Sequence, residues 1–297
     1  MRARRRVALA ALVSTAALTM TTAVVAEAAP ARLGSKRIDN VIYLLGDGMG
    51  RTHVTAGRDR FYGASGSLNM ERLPVVGQVR TYAVQENSGQ PGAADFVPEY
   101  VTDSASSATA WSSGVKTYNA ALGVDAKATV MPTVMELAKQ AGYRTGNVST
   151  AEITDATPAA QMSHVLARGC QGPVYSAASC QNTDVTGGTA LPTSDLRVTP
   201  VADQIARNGT ADVILGGGLA RFDEADERAL VRQGYDVLGS PASQQVATGS
   251  ELQATRSRKV FGLFNRGNLT IEKFKQENPD AVQAEEPSLP KIGRAHV

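Results

Sequence analysis

A carboxylate lies in a glycine-rich turn near the start of the chain, in the stretch VIYLLGDGMG from Val41 to Gly50. The apolar run predicts a strand over Asn40–Leu45, and ligands of open α/β sheets bind beyond the carboxyl ends of strands. Asp47 could therefore bind a metal ion, because the glycines allow close approach. The alternative is an aspartate that only makes turn hydrogen bonds. The dinucleotide fingerprint G-x-G-x-x-G fails, since Arg51 occupies its third glycine position.

A serine follows an aspartate at the head of a run of small residues, in the segment Tyr100–Asp125. Either Asp103 or Ser104 could simply cap a helix that begins here. A helix N-terminus also offers backbone N–H groups to an anion, which would place Ser104 well to attack a phosphoryl group. No histidine lies nearby in the sequence to act as its base, so a metal ion is the favoured activator.

A third group of polar residues lies in the segment Ser149–Pro173, where a predicted strand leads into a predicted helix. Asp155 and Thr157 offer two oxygen ligands to a hard cation such as Mg²⁺. Pro158 at a first helical position predicts a helix that runs to Arg168, about three turns further on. The Arg168 guanidinium could reach back over a phosphate, or it could make a surface salt bridge.

Strands and helices alternate along the chain, which predicts an α/β domain with a mostly parallel sheet covered by helices. Two Gly- and Ser-rich stretches, residues 84–95 and 181–195, are predicted surface loops. The other predicted elements are a helix over Met131–Ala141, a strand over Thr145–Ser149, a helix from Thr199-Pro200 to Asn208-Gly209, a strand over Asp212–Leu215, a helix over Glu224–Arg232 and a strand over Val260–Leu263.

The first 28 of the 297 residues have the pattern of a secretory signal peptide: four arginines, an apolar run and an Ala-Glu-Ala cleavage site. A membrane anchor is the alternative, and the arginines do not decide between the general and twin-arginine export routes. Removing residues 1–28 lowers the formal charge from +2 to −1. A near-neutral chain predicts neither a nucleic-acid partner nor, after signal cleavage, a membrane partner. The expected location is therefore secreted, periplasmic or extracellular.

The two cysteines, Cys170 and Cys180, form an even pair in a chain predicted to be exported. An oxidising compartment favours a disulfide between them, and two free thiols are the alternative. A zinc site is disfavoured, because neither cysteine has a second ligand at metal-binding spacing.

Taken together, these segments resemble the bacterial-type alkaline phosphatase family. The family's serine signature has Ile or Val two positions before Asp-Ser, followed by four small residues and Thr. Residues Val101–Thr109 meet it in full. The GDGMG turn, the DATPAA stretch, the arginine before the first cysteine and the DVILGGG stretch of Asp212–Gly218 also match. The resemblance covers roughly Asn40–Asp223 and implies a three-layer α/β/α sandwich with a mostly parallel central sheet.

The resemblance implies a role for each matching residue of the phosphate site. Ser104 would be the nucleophile that becomes phosphoserine. Arg168 would bind two phosphate oxygens, and Asp103 would hold it in place. Cys170 and Cys180 match a disulfide of the family. Such a site contacts mainly the phosphoryl group, so small phosphate monoesters of many kinds are the expected substrates. A homodimer is compatible with the resemblance, although the sequence does not give the oligomeric state.

The resemblance also implies two zinc ions and one magnesium ion. Asp47 would bridge one zinc and the magnesium, Thr157 would bind the magnesium, and Asp155 would support it directly or through its waters. An Asp at position 155, where animal relatives tend to carry His, points to the bacterial subtype. One zinc would keep Ser104 as an alkoxide, and the other would stabilise the leaving oxygen.

One departure from the family concerns the C-terminal half, which supplies the other metal ligands and has no counterpart here. The expectation is that residues 29–290 form the N-terminal portion of one phosphatase domain with its C-terminal part missing. Residues 291–297, at the end of LPKIGRAHV, are expected to be a non-native tail, with a genuine polar tail as the alternative. Other functions left open are a phosphodiesterase or sulfatase of the same superfamily and a non-catalytic phosphate- or metal-binding module. A sulfatase is disfavoured, because the x-P-S-R motif is absent around Ser104.

Overall fold

The computed structural model describes residues 39–173, 176–281 and 285–294. The chain divides into two units, Met1–Leu45 and Gly46–Val297. In the first unit, residues 39–45 form neither helix nor strand, and Val41 to Leu45 are exposed. The predicted strand over Asn40–Leu45 is therefore wrong, because an apolar run becomes a strand only where a neighbouring strand pairs its main chain. The predicted signal peptide, residues 1–28, lies outside the described residues.

Helices account for much of the second unit. Those described are α1 (Arg51–Tyr62), α2 (Ser104–Ser113), α3 (Val134–Gln140), α4 (Ala156–Ala159), α5 (Ala177–Cys180), α6 (Val201–Asn208), α7 (Glu224–Arg232), α8 (Gly249–Ala254), α9 (Glu272–Glu277) and α10 (Leu289–Arg294). Within the described ranges, none has the length and apolar character needed to cross a membrane. Helix α10 covers the first part of the predicted tail, and residues 295–297 lie outside the description.

The strands form a short antiparallel pair and a four-stranded parallel sheet. They are β1 (Ala83–Val84), β2 (Pro98–Glu99), β3 (Gly146–Glu152), β4 (Val213–Gly217), β5 (Asp236–Leu238) and β6 (Val260–Leu263). The parallel sheet has the order β3-β4-β6-β5, and Val213 pairs with Gly146 on one side and Val260 on the other. Because parallel strands need crossover connections, helices lie between them in the chain.

Two apolar clusters pack against the parallel sheet. Along β4, Ile214 belongs to the first cluster and Leu215 to the second, as expected when successive strand residues face opposite sides. The first cluster includes residues of α2, α4, α6 and α7, and the second includes Leu252 of α8 and Ile292 of α10. Helices therefore cover both faces, and the predicted α/β class with a three-layer arrangement and a mostly parallel sheet is confirmed.

Local sequence signals located several elements accurately. Helix α7 has the predicted bounds, because the Asp223 side chain accepts hydrogen bonds from the N–H groups of Ala225 and Asp226 at its start. Helix α6 ends where predicted, with Gly209 in the left-handed region at φ +61°. Strand β6 also has its predicted bounds, and β3, β4 and α3 lie within a few residues of theirs.

The predicted helix from Pro158 to Arg168 is wrong beyond its first turn. Helix α4 ends at Ala159, and the chain then forms an antiparallel bridge between Val165 and Leu122. The Leu122 N–H donates to the Val165 oxygen at 3.0 Å, and the Val165 N–H donates to the Leu122 oxygen at 2.9 Å. A partner from a distant part of the chain thus replaces the local helical hydrogen bonds.

A buried carboxyl group lies between α6 and α7. Asp226 is 1% exposed, and its Oδ1 atom is buried without a hydrogen-bond partner. The nearest cation is Arg207, whose Nη1 lies 3.8 Å from that oxygen, and Arg207 also pairs with Asp203. Burial, followed by the adjacent carboxyl group of Asp203, raises the pKa of Asp226 to about 7, against a smaller lowering by the hydrogen bond from the Asp223 backbone.

The Asp226→Asn variant is expected to be more stable than the wild type at alkaline pH. A raised pKa means that the folded state favours the protonated acid, so folding loses stability as pH rises from the ordinary value of 3.8 through about 7. The gain in unfolding free energy at pH 8 is at most on the order of 4 kcal/mol. Urea denaturation at pH 5 and pH 8 measures it, with the exposed Asp184→Asn as control. Equal effects of Asp226→Asn at both pH values would contradict this prediction.

Candidate active site

Ser104 is the first residue of α2, and the carboxylate before it caps the helix. The Asp103 Oδ1 atom accepts hydrogen bonds from the N–H and the hydroxyl of Ser106, at 2.8 and 2.9 Å. The small residues that follow let this end of the helix pack closely, since Ala105 and Ala108 are buried. Asp103 is therefore the N-cap of α2, and the candidate nucleophile Ser104 is the residue that follows it. Capping and a role beside the nucleophile are thus both open to Asp103 at this one helix end.

The Arg168 guanidinium lies beside Ser104. Its Nη1 donates to the Ser104 Oγ at 2.9 Å and to Asp103 Oδ2 at 3.3 Å, while its Nη2 donates to Asp155 Oδ1 at 2.7 Å. The side chain is 33% exposed. Burial alone would lower the pKa of Arg168, but its hydrogen bonds and charge interactions with Asp155 and Asp103 outweigh burial and raise it. Arg168 is therefore a fixed, fully charged group with one edge on the serine hydroxyl.

Asp47 and Thr157 come together although 110 positions separate them. The Thr157 hydroxyl donates to Asp47 Oδ2 at 2.7 Å. Asp47 lies in a turn that needs Gly48 in the left-handed region at φ +63°. Thr157 lies in the first turn of α4, whose N-cap is Asp155. The N-terminal end of α4 thus connects two pairs of residues: Asp155 is bonded to Arg168, and Thr157 is bonded to Asp47.

The candidate residues of the site therefore lie around the N-termini of α2 and α4, beyond the carboxyl end of β3. This is the expected place for a ligand in an open α/β sheet. Their donor atoms are carboxylate and hydroxyl oxygens, and the Asp47–Thr157 pair fits a hard cation such as Mg²⁺. Zinc prefers three protein ligands that include nitrogen or sulfur. In the described part of the chain, no group of three or more His, Cys, Asp or Glu residues is arranged to hold a metal.

The disulfide predicted from the sequence is present. Cys170 and Cys180 are bonded, and their side chains are 0% and 1% exposed. The bond lies two residues beyond Arg168, so it restrains the segment that carries the guanidinium. Among the described histidines, His53 accepts the Gly50 N–H, and His164 is buried and bonded to Glu136.

Two residues beside the site were missed from the sequence. Asn119 bonds the Asp103 N–H and the Val101 oxygen, and Ala120 bonds Asp103 and the backbone of Arg168. Asparagine in a polar turn is common, so its residue type carried no signal. Ala120 adopts φ +73°, a conformation for which glycine would have been the sequence signal.

The site has a serine at a helix N-terminus, faced by a fixed arginine at the carboxyl end of a parallel sheet, and both groups are of the kind that proteins use to bind anions. Comparison with known families makes the class specific. A family model described as alkaline phosphatase matches residues 38–295. The chain belongs to the alkaline phosphatase family.

Individual relatives agree with this family. The alkaline phosphatase of Escherichia fergusonii is 42% identical over 258 residues, which cover 82% of this chain and 50% of the relative. That of Escherichia coli K12 is 41% identical, over 80% of this chain and 49% of the relative. A streptomycin-6-phosphate phosphatase of Streptomyces griseus is 38% identical, over 88% of this chain and 55% of the relative. The chain thus spans about half the length of these relatives.

Solved structures share the fold. A cold-active alkaline phosphatase from Shewanella matches with a TM-score of 0.50 and 27% identity, over 76% of this chain and 46% of that one. The Thermus thermophilus alkaline phosphatase matches with a TM-score of 0.53 and 24% identity, over 82% of this chain and 42% of that one. The second match supports the fold alone.

Proposed function

We propose that the full-length protein is a secreted, metal-dependent phosphomonoesterase that works through a phosphoserine at Ser104. The observation that carries this proposal is the 2.9 Å hydrogen bond from Arg168 to the Ser104 hydroxyl, in a member of the alkaline phosphatase family. A phosphate monoester bound to the guanidinium would have its phosphorus close to the serine oxygen. Positioning of this kind removes much of the barrier to phosphoryl transfer.

The reaction would proceed in two steps at this site. In the first, the Ser104 oxygen forms a bond to phosphorus as the alcohol oxygen leaves. In the second, water attacks the phosphoserine and releases inorganic phosphate and free Ser104. Arg168 would hold two non-bridging phosphoryl oxygens and stabilise their charge through both steps. Asp103 and Asp155 would orient the guanidinium through the bonds that they accept from it.

The residues present fit part of a metal site. Asp47, Asp155 and Thr157 would supply oxygen ligands to magnesium, and Asp47 and Ser104 would contribute to zinc. When bound, two zinc ions and one magnesium ion would favour the ionised serine hydroxyl and neutralise charge on the phosphoryl group and leaving oxygen. The chain's own contribution is to hold these oxygens in place. The 2.7 Å contact between Thr157 and Asp47 supports a shared ligand role for the two residues.

The substrate class proposed is small phosphate monoesters. Ser104 and Arg168 would contact the phosphoryl group that all such esters share, and not the alcohol that distinguishes them. The Streptomyces griseus relative, whose name states a phosphorylated streptomycin as its substrate, makes an aminoglycoside phosphate a useful member of a substrate panel. Export by the signal peptide and assembly as a homodimer belong to the same proposal.

Trapping the covalent intermediate is the experiment that tests this proposal. The full-length protein is incubated with a ³²P-labelled monoester at mildly acidic pH and quenched. Label is expected on the peptide that contains Ser104. The Ser113→Ala variant, with a change at the far end of α2, should retain the label. Turnover with label on another residue would show that Ser104 is not the nucleophile. Phosphate binding without turnover would indicate a non-catalytic module. Turnover of diesters or sulfate esters alone would indicate another branch of the superfamily.

A further inference from the structure

A turn formed by residues 118–121 lies between the two segments that carry Ser104 and Arg168. The Asn119 side chain binds the chain on both sides of Ser104. Its Oδ1 accepts the Asp103 N–H at 2.9 Å, and its Nδ2 donates to the Val101 oxygen at 2.9 Å. The Ser106 Oγ lies 2.9 Å from both Asn119 Oδ1 and Asp103 Oδ1, which share its single proton. The orientation of the amide is fixed, because the Asp103 N–H can only donate and the Val101 oxygen can only accept.

The next residue binds both partners of the site through its main chain. The Ala120 N–H donates to Asp103 Oδ2 at 3.0 Å, and the Ala120 oxygen accepts the Arg168 N–H at 2.7 Å. The left-handed conformation of Ala120, at φ +73°, is one that alanine rarely adopts. Neighbouring contacts must therefore hold the turn in place. They include the hydrogen bonds of Asn119, the bond from the Ala120 N–H to Asp103 and the bond from the Thr109 hydroxyl to the Ala121 oxygen.

Asp103 connects this turn to the guanidinium. Its Oδ1 is occupied by Ser106, while its Oδ2 accepts both the Ala120 N–H and Arg168 Nη1. Any displacement of the turn would move the carboxylate against which the guanidinium is held. It would also move the backbone of Arg168, through the bond from its N–H to Ala120. The two effects act on the same side chain.

We propose that Asn119 is a positioning residue for phosphate binding, which acts through Asp103 and Ala120 on Arg168. The effect of Asn119 on catalysis rests on the proposed function, because it requires that Arg168 binds the phosphate of a substrate. The hydrogen bonds of Asn119 do not include the Ser104 hydroxyl; they hold the turn of residues 118–121 against the segment of Asp103, and the Ala120 oxygen of that turn accepts the Arg168 N–H. Loss of this side chain should therefore weaken phosphate binding and leave the nucleophile in place.

The test compares four forms of the full-length protein: wild type, Asn119→Ala, Arg168→Ala and the double variant. Asn119→Ala is expected to raise KM and the inhibition constant of inorganic phosphate about tenfold, the equivalent of one hydrogen bond to a charged group. Its kcat should change much less. In the Arg168→Ala background the same substitution should change neither constant, because the two residues act as one unit. Asn278→Ala, which removes a side-chain hydrogen bond to the Phe274 oxygen at the end of α9, is the matched control.

Each result of this test decides the inference. Unchanged constants in Asn119→Ala, or an equal loss with and without Arg168, would overturn it, and the second result would indicate a structural role only. Isothermal titration calorimetry with inorganic phosphate on the same four proteins tests the positioning role of Asn119 separately from the proposed phosphatase activity. The same non-additive pattern in phosphate affinity without turnover would keep the positioning role and refute the phosphatase. Absence of both turnover and phosphate binding would refute the positioning role and the phosphatase activity together.

Discussion

Replacing Ser104 with alanine is expected to lower kcat for phosphate monoesters in the full-length protein by about a thousandfold or more, the scale seen when a covalent nucleophile is removed. The reason is that the alanine side chain offers no oxygen to phosphorus, so only direct attack by water remains. Phosphate affinity should persist, because Arg168 and its partners Asp103 and Asp155 are unchanged. Steady-state kinetics with a chromogenic monoester measure the first effect and inorganic phosphate inhibition the second.

A matched substitution on the same helix separates chemistry from folding. Ser113 lies at the other end of α2, where its hydroxyl donates to the Thr109 oxygen at 2.7 Å. Ser113→Ala should retain wild-type kcat while removing an equal number of atoms. If Ser104→Ala kept wild-type rates, the serine would not be the nucleophile, and the proposed mechanism would be wrong.

Removing the guanidinium of Arg168 is the second large change. Arg168→Ala is expected to weaken inorganic phosphate binding by about tenfold to a hundredfold, the range for charge-assisted hydrogen bonds. It also leaves the carboxylates of Asp103 and Asp155 without their shared cation beside an anionic substrate. Arg168→Lys should fall between wild type and alanine, because lysine keeps the charge but cannot reach Ser104 and both carboxylates with one planar group.

The readout for Arg168 is the inhibition constant of inorganic phosphate, measured with kcat on each variant. Arg58→Ala is the control. Arg58 is half-buried like Arg168 and is paired with a carboxylate, Glu71, but both residues are far from Ser104 in the sequence. Phosphate affinity that is equal in the wild type, Arg168→Ala and Arg168→Lys would show that the guanidinium does not bind the phosphate. Lysine as effective as arginine would show that charge alone matters.

The elements that the sequence predicted well are those whose ends are set by neighbouring residues. Helix α7 begins at its Asp223 cap, and α6 ends at Gly209, which takes up the left-handed conformation. The strand predicted over Asn40–Leu45 failed for the opposite reason, because a strand depends on its partner and not on its own composition. Boundaries of β3 and β4 shifted by a few residues as sheet pairing extended them.

The sequence by itself determined which residues could do the chemistry. The signature around Ser104, the turn at Asp47, the Asp155–Thr157 stretch and the pair Cys170 and Cys180 are properties of residue type and order. They identified the family before any contact was known. They could be found because each requirement, a nucleophile, a tight turn or an oxygen ligand, is local in the chain.

Only the tertiary structure decided how these residues meet. Arg168 was expected on a continuous helix, yet it reaches Ser104, 64 positions away, from a segment held by the bridge between Leu122 and Val165. The contribution of Asn119 was invisible for the same reason. Hydrogen bonds between distant segments depend on how loops are folded against the sheet, and neither periodicity nor residue type encodes that arrangement locally.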